Sequence, residues 1–247
     1  MKASLFDIQD KKPGARFRLF CFPYAGGSAL IFHNWSKFLP TSLEVCNIQL
    51  PGRDKTWQEA SHTRLEPMVQ AMAEEIKPLL DLPYAFFGHS MGALIAFELA
   101  RKLREQRSKA PEKLMVSAAR APQDTSAEAP IHLLPQEQFI EALRTYNGIP
   151  AEIIENLPTM QLFLPRLRAD FAVLETYQYK SGPPLECPLT AFGGSTDNIV
   201  SQESLSRWAT QTRSNFSIHF FKGDHFFIHS MQEFVLKTIC FETQPYL

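Results

Sequence analysis

The sequence predicts an α/β fold built on a mostly parallel sheet, and three observations carry that prediction. Short apolar runs rich in aromatic residues alternate with longer segments whose apolar side chains recur at three- and four-residue steps, the patterns of buried strands and of helices packed on a sheet. One such strand, Tyr84-Ala85-Phe86-Phe87, passes directly into an apolar helix through Gly88-His89-Ser90-Met91-Gly92, a turn that displays a serine. Two later strand-like runs end in loops carrying Asp197 and His225, the residue types such a serine needs as partners.

In chain order, a polar lead containing Lys11-Lys12-Pro13-Gly14 precedes an interior strand over 16–22, which Pro23 stops. The glycine-rich loop Tyr24-Ala25-Gly26-Gly27-Ser28-Ala29 follows, then an expected helix from Leu30 to Phe38. A second strand, Glu44 to Leu50, ends at Pro51-Gly52-Arg53-Asp54. Leu65, Met68, Val69, Met72, Ile76 and Leu79 keep helical spacing ahead of the Tyr84 strand, so strand, helix and strand form a parallel crossover unit. Ligands of open α/β sheets bind at the carboxyl ends of the strands. The Ala25 loop, the Ser90 turn and Arg53-Asp54 are therefore expected at one edge, with Arg53 and Asp54 as loop-fixing salt-bridge residues. After the Ser90 helix, the basic run Arg101 to Lys109 reads as a solvated helix end, favourable to the helix dipole. Lys113 to Ala118 is the next strand.

From Gln123 to Glu186 the rhythm changes to helical segments separated by prolines, so residues 123–186 are expected to form a helical lid inserted into a single domain over 1–247. Helices are predicted over Pro135 to Tyr146, Pro150 to Asn156 and Thr159 to Tyr179, the last kinked or restarted at Pro165. Met160, Phe163, Leu164, Leu167, Phe171, Leu174 and Tyr177 outnumber what one narrow face needs, so some should seat the lid and others line an apolar tunnel. The sheet resumes over 187–194, followed by a helix around Gln202 to Thr212, a last strand over 216–221 and a final helix from Met231 to Phe241.

A length of 247 residues suits one α/β domain, and 45% hydrophobic with 21% charged residues is ordinary for a globular chain. A formal charge of −1 supplies no broad field for nucleic acid or an anionic membrane, so neither is expected as a partner. The N-terminal residues lack a signal-peptide core, and a cytoplasmic monomer is expected. Cys21, Cys46, Cys187 and Cys240 fall at wide spacings, mostly within apolar runs, and are expected to be reduced, the first three of them buried. No His/Cys cluster suggests a metal, and the chemistry below requires no cofactor.

A serine hydroxyl is a weak nucleophile at neutral pH and needs a base, which in turn needs a group to hold its tautomer. Asp197 follows Ser90 by 107 residues and His225 follows Asp197 by 28, each just beyond a strand and in the order Ser, Asp, His. Among seven histidines, only His225 follows a strand into a Gly-Asp turn, whereas His89 should point away from substrate inside the elbow. Asp124 also follows a strand and is the alternative acid. The N–H groups of Ala25 and Met91 are the candidate oxyanion donors. The expected chemistry is acyl transfer to water.

Phe22-Pro23-Tyr24-Ala25-Gly26-Gly27, Gln49-Leu50-Pro51-Gly52-Arg53-Asp54, Gly88-His89-Ser90-Met91-Gly92-Ala93, Leu167-Arg168-Ala169-Asp170-Phe171 and Gly223-Asp224-His225-Phe226-Phe227 together resemble markers of a known family. This is the stand-alone type II thioesterases of the α/β-hydrolase class, which accompany polyketide synthases and nonribosomal peptide synthetases. The resemblance spans nearly the whole chain, with Asp54 standing where the family more often has glutamate. It implies an editing enzyme that frees misplaced acyl groups from the phosphopantetheine arm of acyl or peptidyl carrier proteins, the carrier docking near the lid. Other readings are a medium-chain acyl thioesterase, a general carboxylesterase, or a binding protein that keeps the fold without turnover.

Overall fold

A computed structural model describes residues 4–124, 129–146 and 154–247. Among them, seven strands form one sheet: β1 (Phe6–Asp7), β2 (Phe17–Phe22), β3 (Leu43–Ile48), β4 (Tyr84–His89), β5 (Lys113–Ser117), β6 (Leu189–Gly194) and β7 (Phe216–Phe221). Their spatial order is β1-β3-β2-β4-β5-β6-β7, with every pairing parallel except β1 on β3. The two-residue β1 lies within the stretch read from sequence as a polar lead; it is too short to show a period, and only its pairing with Ile48 and Asn47 defines it.

The parallel strands are buried on both faces, which is why they read as continuous apolar runs rather than alternating ones. Phe20 and Phe22 point into one apolar layer, where α1 (Leu65–Glu75) and α2 (Met91–Glu105) place Met68, Met72, Ile95 and Leu99. Phe17, Leu19 and Cys21 point into the opposite layer, closed by Phe32, Trp35 and the C-terminal helix. Cys21, Cys46 and Cys187 are buried free thiols, and Cys240 is half-buried.

Between β5 and β6 the described residues form helices and no strand of the sheet. Residues α3 (Gln136–Arg144) and α4 (Leu157–Glu175) enclose their own apolar cluster of Phe139, Leu143, Met160, Leu164 and Leu167. The helix expected over Pro150 to Asn156 lies largely outside the described residues. α4 runs on through Pro165 and does not restart there. That proline is exposed, so the carbonyl it deprives of a partner can turn to water.

Two further helices differ from expectation. Residues 30–38 form two separate 3₁₀ turns, Ala29–Phe32 and Trp35–Phe38, whose three-residue period brings Phe32 and Trp35 together with ring centroids 4.8 Å apart. Residues 202–212 split into α5 (Gln202–Ser206) and a 3₁₀ turn, Arg207–Gln211, where Trp208 donates its buried indole N–H to the Ala119 carbonyl at 2.8 Å. Beyond β7 come a four-residue turn of helix, α6 (Phe227–Ser230), and α7 (Gln232–Thr243). Among the described residues, no helix is long and apolar enough to cross a membrane.

Candidate active site

Ser90 sits between β4 and α2 with φ 52° and ψ −116°, a left-handed conformation that a non-glycine residue adopts only under constraint. The constraint is visible: its N–H donates to Ser117 O at 2.7 Å and its carbonyl accepts from Ala93 N at 3.0 Å. The strain rests on the serine itself. The two flanking glycines serve close approach instead, because a Cβ on Gly92 would stand 2.1 Å from the Phe22 carbonyl oxygen and one on Gly88 would stand 2.2 Å from that of Gly92. Only without side chains can α2 start directly beneath β4 and against the exit of β2.

His225 and Asp197 come from the neighbouring strand exits. His225 Nδ1 lies 2.9 Å from Asp197 Oδ2, and Asp197 Oδ1 accepts the N–H groups of Ile199 and Val200 at 2.8 and 3.0 Å. Burial raises the Asp197 pKa, but the His225 hydrogen bond and charge and the two N–H donors outweigh it and hold the carboxyl below its ordinary value. Backbone bonds stitch the two loops together, Ser195 N to Phe221 O at 2.8 Å and Thr196 N to Gly223 O at 2.9 Å. Of the two candidate acids, Asp197 is therefore the one bonded to His225. Asp124 faces Arg207 instead, with its Oδ1 3.1 Å from Nη1.

Ser90 and His225 line one cavity of about 610 Å³ that extends between the sheet edge and the helical segment. Its apolar wall includes Leu94, Ile131, Phe171, Leu174, Tyr177 and Val200. Of the apolar residues on and just beyond α4, Phe171, Leu174 and Tyr177 reach the cavity, while Met160, Leu164 and Leu167 pack with Phe171 into the helical segment's own cluster.

The candidate oxyanion donors flank the elbow, since β2 pairs with β4 in a register that sets Phe22 beside Gly88. Met91 opens α2, and Ala25 lies in the loop leaving β2. Among the described residues, neither N–H has a hydrogen-bond partner. The Ala25 loop is held from above. Gly26 N donates to Asp170 Oδ2 at 2.7 Å, Arg53 Nη2 pairs with Asp170 Oδ1 at 2.7 Å, and Arg53 Nη1 donates to Gly27 O at 2.7 Å. Both charged side chains are 1% exposed. Arg53 is thus the loop-fixing residue expected, but its partner comes from α4. No ion pair joins Asp54 to a cation among the described residues; it contributes a positive φ of 47° to the turn.

His89 is fully buried, as expected of an elbow residue turned from substrate, with Nδ1 2.9 Å from Ser117 Oγ. Burial, then the nearby His225 charge, pushes its pKa well below the ordinary value, so the ring is neutral beside the His225 imidazole. The basic run on α2 proves only partly solvated. Arg101 donates to Lys180 O at 2.7 Å, and Arg104 to Pro183 O and Pro184 O at 2.8 and 2.9 Å, anchoring the chain as it returns from the helical segment. Carbonyl acceptors have no sequence signature, so composition could not reveal this. Among the described residues no group of three or more His, Cys, Asp or Glu could hold a metal ion.

The Thioesterase domain family matches residues 17–241. The Gramicidin S biosynthesis protein GrsT of Aneurinibacillus migulanus is 50% identical over 92% of this chain and 88% of its own. A second relative, named linear gramicidin dehydrogenase LgrE, of Brevibacillus parabrevis, is 44% identical over 94% of this chain and 90% of its own. Among solved structures, YbtT, a type II thioesterase from the yersiniabactin NRPS/PKS biosynthetic pathway, superposes with a TM-score of 0.85 at 30% identity, covering 96% of this chain and 97% of that one. An α/β-hydrolase sheet, a serine elbow at its centre and these likenesses across nearly its full length agree: the chain belongs to the thioesterase domain family.

Proposed function

We propose that this thioesterase releases acyl groups from the phosphopantetheine thioesters of carrier proteins in polyketide or nonribosomal peptide assembly, by a serine mechanism needing no cofactor. The observation that carries the reading is Ser90 sharing one cavity with His225, whose Nδ1 is bonded to Asp197. Ser90 Oγ attacks the thioester carbonyl while His225 takes its proton, and Asp197 stabilises the imidazolium. The Ala25 and Met91 N–H groups receive the oxyanion, a contribution of about 3 kcal/mol per donor. As the intermediate collapses the C–S bond breaks, and His225 protonates the departing thiolate. His225 then takes a proton from water, which attacks the acyl-serine ester; the acid leaves and Ser90 regains its proton.

Residues 123–186 serve in this reading as a lid whose inner face holds the acyl chain, with the carrier docking beside it and the pantetheine arm reaching Ser90. The enzyme acts as a cytoplasmic monomer meeting its carrier transiently. The 44% identical relative is named a dehydrogenase, but this sequence has no G-x-G-x-x-G run of the kind that cradles a dinucleotide.

One acyl group presented on a carrier protein, on coenzyme A and as a simple ester tests the reading. The carrier thioester should be cleaved fastest. Comparable rates on all three would remove carrier recognition, and a fluorophosphonate probe failing to label Ser90 would remove the serine mechanism.

A further inference from the structure

The candidate oxyanion donor Ala25 and the base His225 sit on separate loops, and one side-chain bond joins those loops. Tyr24 Oη lies 2.9 Å from Nε2 of His229, which stands on α6 four residues past His225. Among the described residues this is the sole hydrogen bond between the Tyr24–Gly27 turn and the His225 loop. The Tyr24 ring also packs edge-on against Phe226, the neighbour of His225, with centroids 5.0 Å apart, and against His89 at 5.7 Å. Neither Tyr24 nor His229 lines the cavity, so both act on the reaction through other residues.

The turn itself is tethered on both sides of Ala25. Gly27 N donates to Tyr24 O at 2.9 Å, and Gly26 takes a φ of 79°, the left-handed value that the third residue of a type II turn requires. Gly26 N is spent on Asp170 and Gly27 O on Arg53, which ties the far side to α4 and the exit of β3. The near side is tied by the Tyr24 hydroxyl to the loop that carries the base. Burial pushes the Tyr24 phenol up to about 12 and the His229 imidazole below its ordinary value. A neutral phenol therefore meets a neutral ring at pH 7, and the Tyr24 O–H donates to Nε2. An oxyanion donor must already be aimed when the charge develops, and a displacement of about 1 Å in an active site can cost about 10²-fold.

We propose that Tyr24 is a positioning residue whose hydroxyl, through His229, holds the Ala25 N–H in register with His225, so that oxyanion site and base keep one spacing. This rests on the oxyanion role read for Ala25 above.

Tyr24→Phe keeps the ring and deletes the hydroxyl. It should lower kcat on an acylated carrier by roughly tenfold with KM changed less than about twofold, because the oxyanion donors strengthen only as charge develops. Butylboronic acid gives a second readout: Ser90 Oγ adds to boron, its proton passes to His225, and the anionic adduct sets a boron-bound oxygen in the oxyanion site. The affinity of Tyr24→Phe for it should fall by about the same factor as kcat. His229→Leu should reproduce both losses, the double variant should add little to either, and His229→Gln, which keeps an acceptor, should restore most of them. Fluorophosphonate labelling of Ser90 counts intact sites, so a variant that folds poorly is still scored per site. Wild-type kcat in Tyr24→Phe, a loss of kcat without loss of boronic acid affinity, or additive losses in the double variant would overturn the assignment while leaving thioester hydrolysis intact. A wild-type protein that binds no boronic acid would remove the oxyanion reading and the assignment together.

Discussion

The sheet edge and the helical segment above it are held by different kinds of bond. At the sheet edge the loops of the site are set by backbone: Ser90 N on Ser117 O, Ser195 N on Phe221 O and Thr196 N on Gly223 O. The helical segment is tied down by side chains: Asp170 to Arg53 and Gly26, Tyr177 to Glu98 at 2.6 Å, and Arg101 and Arg104 to the returning chain. Backbone bonds survive a change of side chain, and side-chain ties do not. The reactive geometry should therefore tolerate substitutions nearby, while the roof and the Ala25 loop should depend on single residues.

The contrast is sharpest at Ser90. Ser90→Ala should lower turnover of an acylated carrier by about 10⁴-fold or more while leaving the unfolding free energy within about 1 kcal/mol, because every restraint on the elbow is a main-chain one. A variant that unfolds would mean the hydroxyl itself holds the turn. Next, Asp197→Asn should cost about 10³–10⁴-fold in kcat on an acylated carrier and should exceed the loss from Asp124→Asn. The reverse order would move the acid's role to Asp124.

On the helical side the largest effect should fall at Asp170. Asp170→Asn leaves the buried Arg53 guanidinium without its counter-charge and should cost about 3–5 kcal/mol in chemical denaturation. It should also slow the enzyme through the Ala25 loop, seen as a lower kcat. A near-zero change in stability would show that the segment is not fastened here. Gly92→Ala tests the backbone side, since the added methyl meets the Phe22 carbonyl and should cost about 1–3 kcal/mol with a loss of activity from a displaced elbow.

The smallest expected effect is a pH slope. His89 is neutral when folded because its pKa is pushed well below the ordinary 6.5, whereas the unfolded chain protonates it near that value. Below about pH 6.5 the unfolded state binds the extra proton, so stability is full above that pH and falls as pH drops, by at most about 1.4 kcal/mol per unit. His229, its pKa also lowered by burial, adds in the same direction. Equilibrium unfolding of the wild type and His89→Gln between pH 5 and 8 would measure the difference in slope, and equal slopes would remove His89 as its source.

Much of the sheet was legible because a strand's period and its terminators are local. Pro23 and Pro51 follow the second and third strands, and the Ser90 elbow carries its own glycine spacing. The 3₁₀ turns over 29–38 were not, since Phe32 and Trp35 fit a helical spacing and only their joint burial selects the tighter turn. Whether the helix would restart at Pro165 was not legible for the converse reason: it continues where the orphaned carbonyl can meet water, and exposure is not written in the local sequence.

The alternation of strand and helix, the serine elbow and the placement of Asp197 and His225 after strands were determined by the sequence alone, because each depends on neighbouring residues. Tertiary structure decided that Asp197 rather than Asp124 meets His225, and that Arg53 finds Asp170 across 117 residues. The first pairing depends on β6 and β7 lying side by side in the sheet, and the second on where α4 packs over the exit of β3, neither of which is written in the residues next to Asp197 or Arg53.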